Sequence, residues 1–301
     1  MTISRAQLAK ELEPGLNALF GLEYDRYEDE AAEIFESEGS DRAFEEEVML
    51  SGFGTAPVKS EGSAINFDDA QETYTARYTM ETIALAFSIT EEAVEDNLYD
   101  RLAARYTRAL ARSMAQTKQI KGATVLNNAF STGSPIGDGA ALCSAAHPSL
   151  SGNQNNLLAT PADLNETSLE DILIQVAGFT DERGLKIAVR GTKLLIPKEL
   201  QFIAERIINS NLRPGTADND INAMKSMGML PEGAVVNHFF TDADAYFVKT
   251  DCPNGFKLFN RTPLKTAMEG DFDTGNMRFK ARERYAYGVS DWRCVFGTPG
   301  A

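Results

Sequence analysis

Hydrophobic and polar positions alternate over residues 73–81, with Tyr74, Ala76, Tyr78 and Met80 on one side and Thr73, Thr75, Arg77, Thr79 and Glu81 on the other. A period of two predicts a strand. Ile65 and Phe67 alternate just upstream and Asp68-Asp69 offers a turn, so residues 52–88 read as a long two-stranded hairpin. Such a hairpin has too little core of its own and must lean on another surface. The clearest helix follows. It starts near Thr90, with Ser88 or Thr90 as N-cap, and runs to about residue 121. Val94, Leu98, Leu102, Tyr106, Leu110 and Met114 form its slowly turning apolar stripe. Acids lead and bases follow, which complements the helix dipole. Arg101, Arg105, Arg108 and Arg112 are spaced i, i+4, i+7 and i+11. At 100° per residue they stay within roughly 60° of one another and form an arginine ridge.

Residues 131–168 are rich in Gly, Ser, Pro and Asn and lack apolar periodicity, which predicts a long surface loop. Ser168 then caps a short helix through Ile172, Val176 and Phe179 that ends at Gly184. Strands are expected at 186–189 and 194–196, and Pro197 opens a helix carrying Leu200, Ile203, Ile207 and Ile208. After a loop at 213–220 come short strands at 235–239, 245–248 and 256–259. Met277, Phe279 and Ala281 alternate with Arg278, Lys280 and Arg282 before a closing segment at 285–296. This is an α+β chain without regular βαβ alternation.

Charge changes the picture. The 301 residues, 43% of them hydrophobic, suffice for one large or two ordinary domains, but 29 bases against 44 acids leave a net −15. That balance disfavours general attraction to phosphate backbones or anionic membrane surfaces. The longest apolar run, 83–87, is far short of the roughly 18 residues of a membrane helix. The start lacks a secretory signal and three cysteines cannot all pair, so a reduced, soluble protein made in a cytoplasm is expected. Between Leu22 and Glu47, twelve acids face two bases, a net −10. With Leu22, Ile34, Phe35, Phe44, Val48 and Met49 threaded through it, this block reads as an arm that docks on something basic. Glu28, Asp29 and Glu30 on the arm and the arginine ridge are the candidate partners.

Motifs of catalysis are scarce. Gly133-Ser-Pro-Ile-Gly137-Asp-Gly139 has the wrong spacing for a phosphate cradle and no Lys-Ser/Thr after it. No Gly-x-Ser-x-Gly elbow exists, and His147 and His238 are the only imidazoles. Cys143 and His147 have the spacing of a metal half-site or a thiol–imidazole pair, but no second pair completes a site, and His147 reads as a solvent-facing loop residue. Asp271-Phe-Asp273-Thr-Gly275 resembles the start of a calcium loop with glycine one position early and no glutamate at the twelfth, so it reads as a turn. No catalytic, cofactor or metal site is assigned.

The order of elements, together with Ile89-Thr-Glu-Glu, Asp96-Asn-Leu-Tyr99-Asp, Ala123-Thr-Val-Leu-Asn-Asn-Ala-Phe130, Gly137-Asp-Gly139 with His147-Pro148, Leu194-Leu-Ile-Pro197 and Tyr287-Gly-Val-Ser-Asp291-Trp-Arg293, resembles the major capsid proteins of tailed bacteriophages. The resemblance is to the Hong Kong 97 type fold and, within it, to the Mu-like major head subunit group. It implies an N-terminal arm at 1–51, an E-loop at 52–88, a peripheral domain at 89–188 and 277–301 containing the spine helix, and an axial domain at 189–276. It also implies hexamers and pentamers of the chain itself, tiling an icosahedral shell around double-stranded DNA held without sequence-specific binding. The subunits would be made in the cytoplasm of a bacterial host, with scaffolding, portal and decoration proteins as further partners and no enzyme activity, cofactor or membrane. Arm and hairpin would then lie across neighbouring subunits. Arg101, Arg105, Arg108, Arg112, Arg77 and Lys59 are the basic assembly candidates, and Lys59 lies in the loop where some members cross-link subunits, although no local motif supports that bond here. Trp292 is expected to pack in the peripheral sheet with Tyr285 or Tyr287. Two other readings are a nanocompartment shell of the same fold and an acidic hydrolase built on Cys143/His147 or the Asp271 turn.

Overall fold

Two four-stranded sheets organise the chain, whose computed structural model describes residues 5–90, 92–93, 99–213, 220–271 and 274–301. The first sheet contains β1 (Glu36–Gly39), β4 (Glu81–Ile89), β8 (Phe256–Gly270) and β9 (Met277–Val289) in the order β1-β8-β9-β4, with β1 parallel to β8 and the other pairs antiparallel. Phe279 and Ala281 lie on one face of β9, and two helices cover them: α1 (Arg5–Tyr24) through Leu16 and Phe20, and α2 (Tyr99–Asn127) through Ala103, Leu110, Ala111 and Met114. The expected arm of 1–51 is therefore not extended throughout, because it contains α1, whose Phe20 packs tilted against Phe279 with ring centroids 6.4 Å apart.

The second sheet has the order β10-β7-β5-β6, from β5 (Gly191–Pro197), β6 (Ala234–Asn237), β7 (Tyr246–Thr250) and β10 (Val295–Thr298). Its strands are apolar runs because both faces are buried. Leu194 and Ile196 point into one core with α3 (Glu166–Ala177) and α4 (Gln201–Asn209), where Asn222, N-cap of α5 (Ala223–Met227), holds the carbonyl of Ile207. Leu195 points the other way, into a core with Ile34, Phe35, Leu126, Phe247 and Phe256 that joins the two sheets.

Several expectations change. The strand at 73–81 is real but splits into β3 (Glu72–Thr79) and β4, and the partner of β3 is β2 (Phe44–Leu50), not Ile65–Phe67. Residues 52–71 form no strand, since their apolar side chains find no covering surface: Val58 and Phe67 are 98% and 97% exposed. The division at 189–276 also separates residues that pack together. β8 belongs to the sheet of β9 and α2, while α3, Trp292 and Phe296 belong to the core of β5 and β7. The helix of 166–177 is capped by Asn165, which accepts from Ser168 N at 2.8 Å, and it ends at Gly178, not Gly184. Residues 186–189 make only a single bridge, Thr180 to Lys186. The strand expected at 256–259 runs on to Gly270, because β9 continues to pair with it across two irregularities.

The loop of 131–168 is irregular but not superficial. His147 and Asn156 are fully buried in it, as are Leu142, Cys143 and Leu164. Asn156 replaces a strand ladder: its amide nitrogen donates to the carbonyls of Leu142, Trp292 and Val295, and its oxygen accepts from Ser144 N. Thr90 Oγ1 accepts from Ala93 N at 3.4 Å, and the long helix is described from Tyr99 onward. Val94, Leu98, the loop positions 214–219 and Asp273 lie outside the described residues, as do the side chains of Arg101 and Leu102.

Candidate assembly interface

The acidic arm docks on its own chain, through lysines rather than the arginine ridge. Glu33 meets Lys193 Nζ at 2.8 Å, and Glu232 meets the same nitrogen at 3.1 Å. Glu38 and Glu47 both reach Lys257, whose side chain is only 6% exposed. Burial pulls the pKa of each lysine down, but hydrogen bonds and charge from Glu33 and Glu232, or from Glu47 and Glu38, carry it net upward. Asp29 accepts from Gln119 Nε2 at 2.8 Å and pairs with Lys118 on α2, and Glu30 accepts from both the backbone and ring of His238. Close approach is possible because residue 122 of α2 is glycine; a Cβ there would lie 2.9 Å from that of Ala31. Glu28 is exposed and has no partner among the described residues.

Arg105, Arg108 and Arg112 do share one exposed face of α2, as their spacing predicts. None has a carboxylate within 4 Å among the described residues, so within one chain the described part of the arm makes no ion pair with them. The reason is competition: Lys193 and Lys257 offer desolvated cations, which bind carboxylates more strongly than solvated surface arginines. Arg77 sits over the Phe44 ring at 4.1 Å and pairs with Glu46, within the β2–β3 hairpin. Lys59 is exposed in the loop between those strands. Of that loop, Asp68 is clasped: it accepts two 2.9 Å hydrogen bonds from Arg183 and one from Gly54 N. The Gly54 and Arg183 hydrogen bonds hold its pKa below the usual aspartate range.

Trp292 is fully buried, but its partners are not Tyr285 and Tyr287, which pack edge-on against each other in the other core. It lies flat on His147 with ring centroids 4.4 Å apart, edge-on to Phe179, with the Arg293 guanidinium 4.4 Å from its ring. Arg293 in turn donates to Glu182 at 2.8 Å and Asp291 at 3.3 Å. The solvent-facing reading of His147 is thus wrong. Nδ1 lies 2.6 Å from Asp138 and Nε2 3.0 Å from the Asn156 oxygen, so neither nitrogen is free to activate Cys143. Burial also pushes the Cys143 and Cys294 thiols up, away from the nucleophilic thiolate. Among the described residues no three His, Cys, Asp or Glu side chains are grouped to hold a metal ion, and no helix is long and apolar enough to cross a membrane. A cleft of about 590 Å³ opens between β3, α2, residues 134–137 and β9. The hydroxyls of Tyr285 and Tyr287 on its β9 wall are buried without a partner, and burial raises both pKa values.

What the geometry presents is a set of surfaces: a neutralised arm, an unpaired ridge and an apolar loop without cover. The sequence model of the phage capsid protein family matches residues 73–297. The chain belongs to that family. It is a major capsid protein of the tailed-phage, Hong Kong 97 type, a structural subunit of an icosahedral virion shell. The match to a phage capsid family disfavours the nanocompartment reading. Among curated proteins no sequence matches this capsid protein. Solved structures share its fold at low identity. A virus-like particle from Pyrococcus furiosus is 8% identical with a TM-score of 0.54, covering 94% of this chain and 97% of the other. Microbacterium phage Oxtober96 is 13% identical at 0.53 with 90% of each chain covered, and the capsid of Myoviridae phage XM1 is 12% identical at 0.53 with 89% of each. The lysine anchors of the arm were missed in the sequence. Lys193 and Lys257 carry no local signal, since the arm carboxylates that reach them, Glu33 and Glu47, lie more than 150 residues away.

Proposed function

We propose that copies of this capsid protein join through contacts between the arginine ridge of one subunit and the acidic turn of another, closing hexamers and pentamers around the phage DNA. The supporting observation is complementary vacancy. Arg105, Arg108 and Arg112 are exposed and unpaired among the described residues, and so are Asp25, Glu28 and Glu36 on the arm. Two different patches that do not satisfy each other within one chain make a heterologous contact, which generates a ring when the rotation between subunits closes. In this reading residues 1–43 are the arm, the β2–β3 hairpin with its loop is the E-loop, and α2 is the spine. The subunit works by assembly and carries no catalysis. Its net −15 lets enclosed DNA slide along the wall. Synthesis in a bacterial cytoplasm and partners such as scaffolding, portal and decoration proteins follow from this role.

Sedimentation velocity with negative-stain imaging tests the proposal on the full chain. Hexamers, pentamers or closed shells are expected from the native sequence, and Arg105→Glu with Arg108→Glu abolishes them at every salt concentration. Normal shells from the double variant would end the ridge assignment, and a monomer from the native chain at all concentrations would require a scaffold.

A further inference from the structure

Inside the 131–168 loop, His147 and Asp138 face each other with side chains 0% and 1% exposed, and both imidazole nitrogens have a partner. The partners fix the protons. Asn156 turns its amide nitrogen to the carbonyls of Leu142, Trp292 and Val295, so the atom it presents to Nε2 at 3.0 Å is its oxygen, which also accepts from Ser144 N. Reversing that amide would set an oxygen against three carbonyls. An amide oxygen has no hydrogen to give, so Nε2 must donate. On the other side, Asp138 Oδ1 accepts from Ala140 N at 3.0 Å, which favours the ionised carboxylate. Its Oδ2, 2.6 Å from Nδ1, then accepts as well, and Nδ1 must also donate. A neutral imidazole has a single N–H and can serve only one of these contacts.

The charges around the ring agree. Besides Asp138 on its own loop, Trp292, which lies flat on the imidazole, brings the adjoining Arg293 with its partners Glu182 and Asp291. From β3 comes the Tyr74 hydroxyl, buried without a partner in the field of the same four charged groups. Three carboxylates against one guanidinium accommodate a second cation, and an imidazolium on an indole face gains a cation–π contact. The pair also joins two parts of the fold. Asp138 sits in a tight turn, closed by Ile136 N to Ala140 O and Gly139 N to Ile136 O, both 2.9 Å. That turn lies so close to β3 that a Cβ on Gly137 would be 2.9 Å from Ala76 N and from the Thr75 carbonyl. Asn156, on the other nitrogen, holds the closing segment at Trp292 and Val295.

We propose that His147 is a buried imidazolium, a latch that ties the turn beneath β3 to the closing segment and opens when its extra proton is lost. Without that proton, either the Asp138 carboxylate or the Asn156 oxygen is left in the interior facing a bare nitrogen. The direction of the pH effect follows from proton counting. With the latch open and the ring in water, histidine sheds its proton above about pH 6.5, whereas the closed latch keeps it. Opening therefore releases one proton, and the open population grows about tenfold for each pH unit of rise.

Histidine-selective ¹⁵N labelling of the full-length chain tests the protonation directly, in solution or by magic-angle spinning of assembled shells. The chain has only two histidines, so His238→Gln identifies the His147 signals. Near pH 8 both ring nitrogens of His147 should show a one-bond coupling to hydrogen; a bare Nδ1 or Nε2 overturns the proposal. Hydrogen exchange tests the latch. The protection factors of the Ile136, Gly139 and Asn156 amides, each taken against the intrinsic rate at that pH, should fall by about 100-fold between about pH 7 and 9. In Asp138→Asn the new amide donates to Nδ1, Nε2 keeps the single proton, and the same factors should stay level. Native protection that is flat over this range, or that falls as steeply in Asp138→Asn, refutes the latch. Should that variant fail to fold, the ring-nitrogen spectrum and the native slope still decide.

Discussion

Replacing Arg293 by methionine should cost this protein about 3–5 kcal/mol, the usual penalty for stranding a buried charge. The guanidinium has 3% of its side-chain surface exposed, and so does the Glu182 side chain it pairs with. It also donates to the Thr180 carbonyl at 2.7 Å and lies against the Trp292 ring. Burial by itself would lower its pKa, but Asp291 and Glu182 raise it overall, a sign that the folded state favours the charged form. Methionine fills most of the volume and leaves both carboxylates without a cation. One Glu182 oxygen already lacks a partner in the intact protein, so that carboxylate has little to fall back on.

Trp292 is the only tryptophan, so its emission follows the unfolding of this very cluster in urea. With a slope of about 3 kcal/mol/M the midpoint should fall by about 1–1.7 M at unchanged slope. Arg293→Met with Glu182→Leu removes the charge and its counter-charge together, and should recover at least half of that loss. A midpoint shift below about 0.3 M for the single variant, or a double variant as unstable as the sum of the singles, would show that the cluster is hydrated and the reasoning wrong.

Two further outcomes follow from the arm and the loop. Glu33 has its pKa lowered chiefly by its hydrogen bond to Lys193, so its contribution is present above the unfolded value and lost as pH falls through the folded one; the raised Lys193 and Lys257 contribute below about pH 10 and lose it as pH rises through their folded values. The hydrogen-exchange protection factors of amides 30–39, each taken against the intrinsic rate at that pH, should therefore be highest between about pH 5 and 10, and protection that stays flat down to pH 3 would refute the docking. Asp68→Asn should speed proteolysis within 53–67 severalfold, and Asp68→Arg with Arg183→Asp should slow it again; equal cleavage in all three would mean the clasp holds nothing.

Legibility of the sequence divides along the range of the interactions. The arginine ridge needs only a helical period, and Arg105, Arg108 and Arg112 lie where that period places them. β3 was legible from its own alternation, but its partner was not. Glu45, Glu46 and Glu47 make β2 look like part of a charged arm, and only pairing with Tyr78, Arg77 and Ala76 turns them into a strand. The loop of 131–168 misleads for a related reason. Gly, Ser and Asn usually mark solvated turns, yet here Asn156 satisfies buried carbonyls that no strand reaches. Trp292 is buried as its size suggests, but the flat contact with His147 depends on a residue 145 positions away.

The distribution of charge has one more consequence, for assembly as a function of salt. Each copy carries −15, so at 0.01 M ionic strength, where the screening length is about 30 Å, whole subunits repel one another before any contact forms. At 0.15 M that length falls to about 8 Å, which suppresses repulsion between subunit centres but spares carboxylates within bonding distance of the ridge. Near 1 M, at about 3 Å, the contacts themselves weaken. Apolar burial, which salt does not screen, should grow only slowly over this range. The assembled fraction should therefore rise and then fall with sodium chloride, peaking between about 0.1 and 0.3 M. Light scattering at fixed protein concentration measures it. A steady rise to 1 M would mean that apolar surfaces alone drive association and that the exposed arginines and lysines are bystanders.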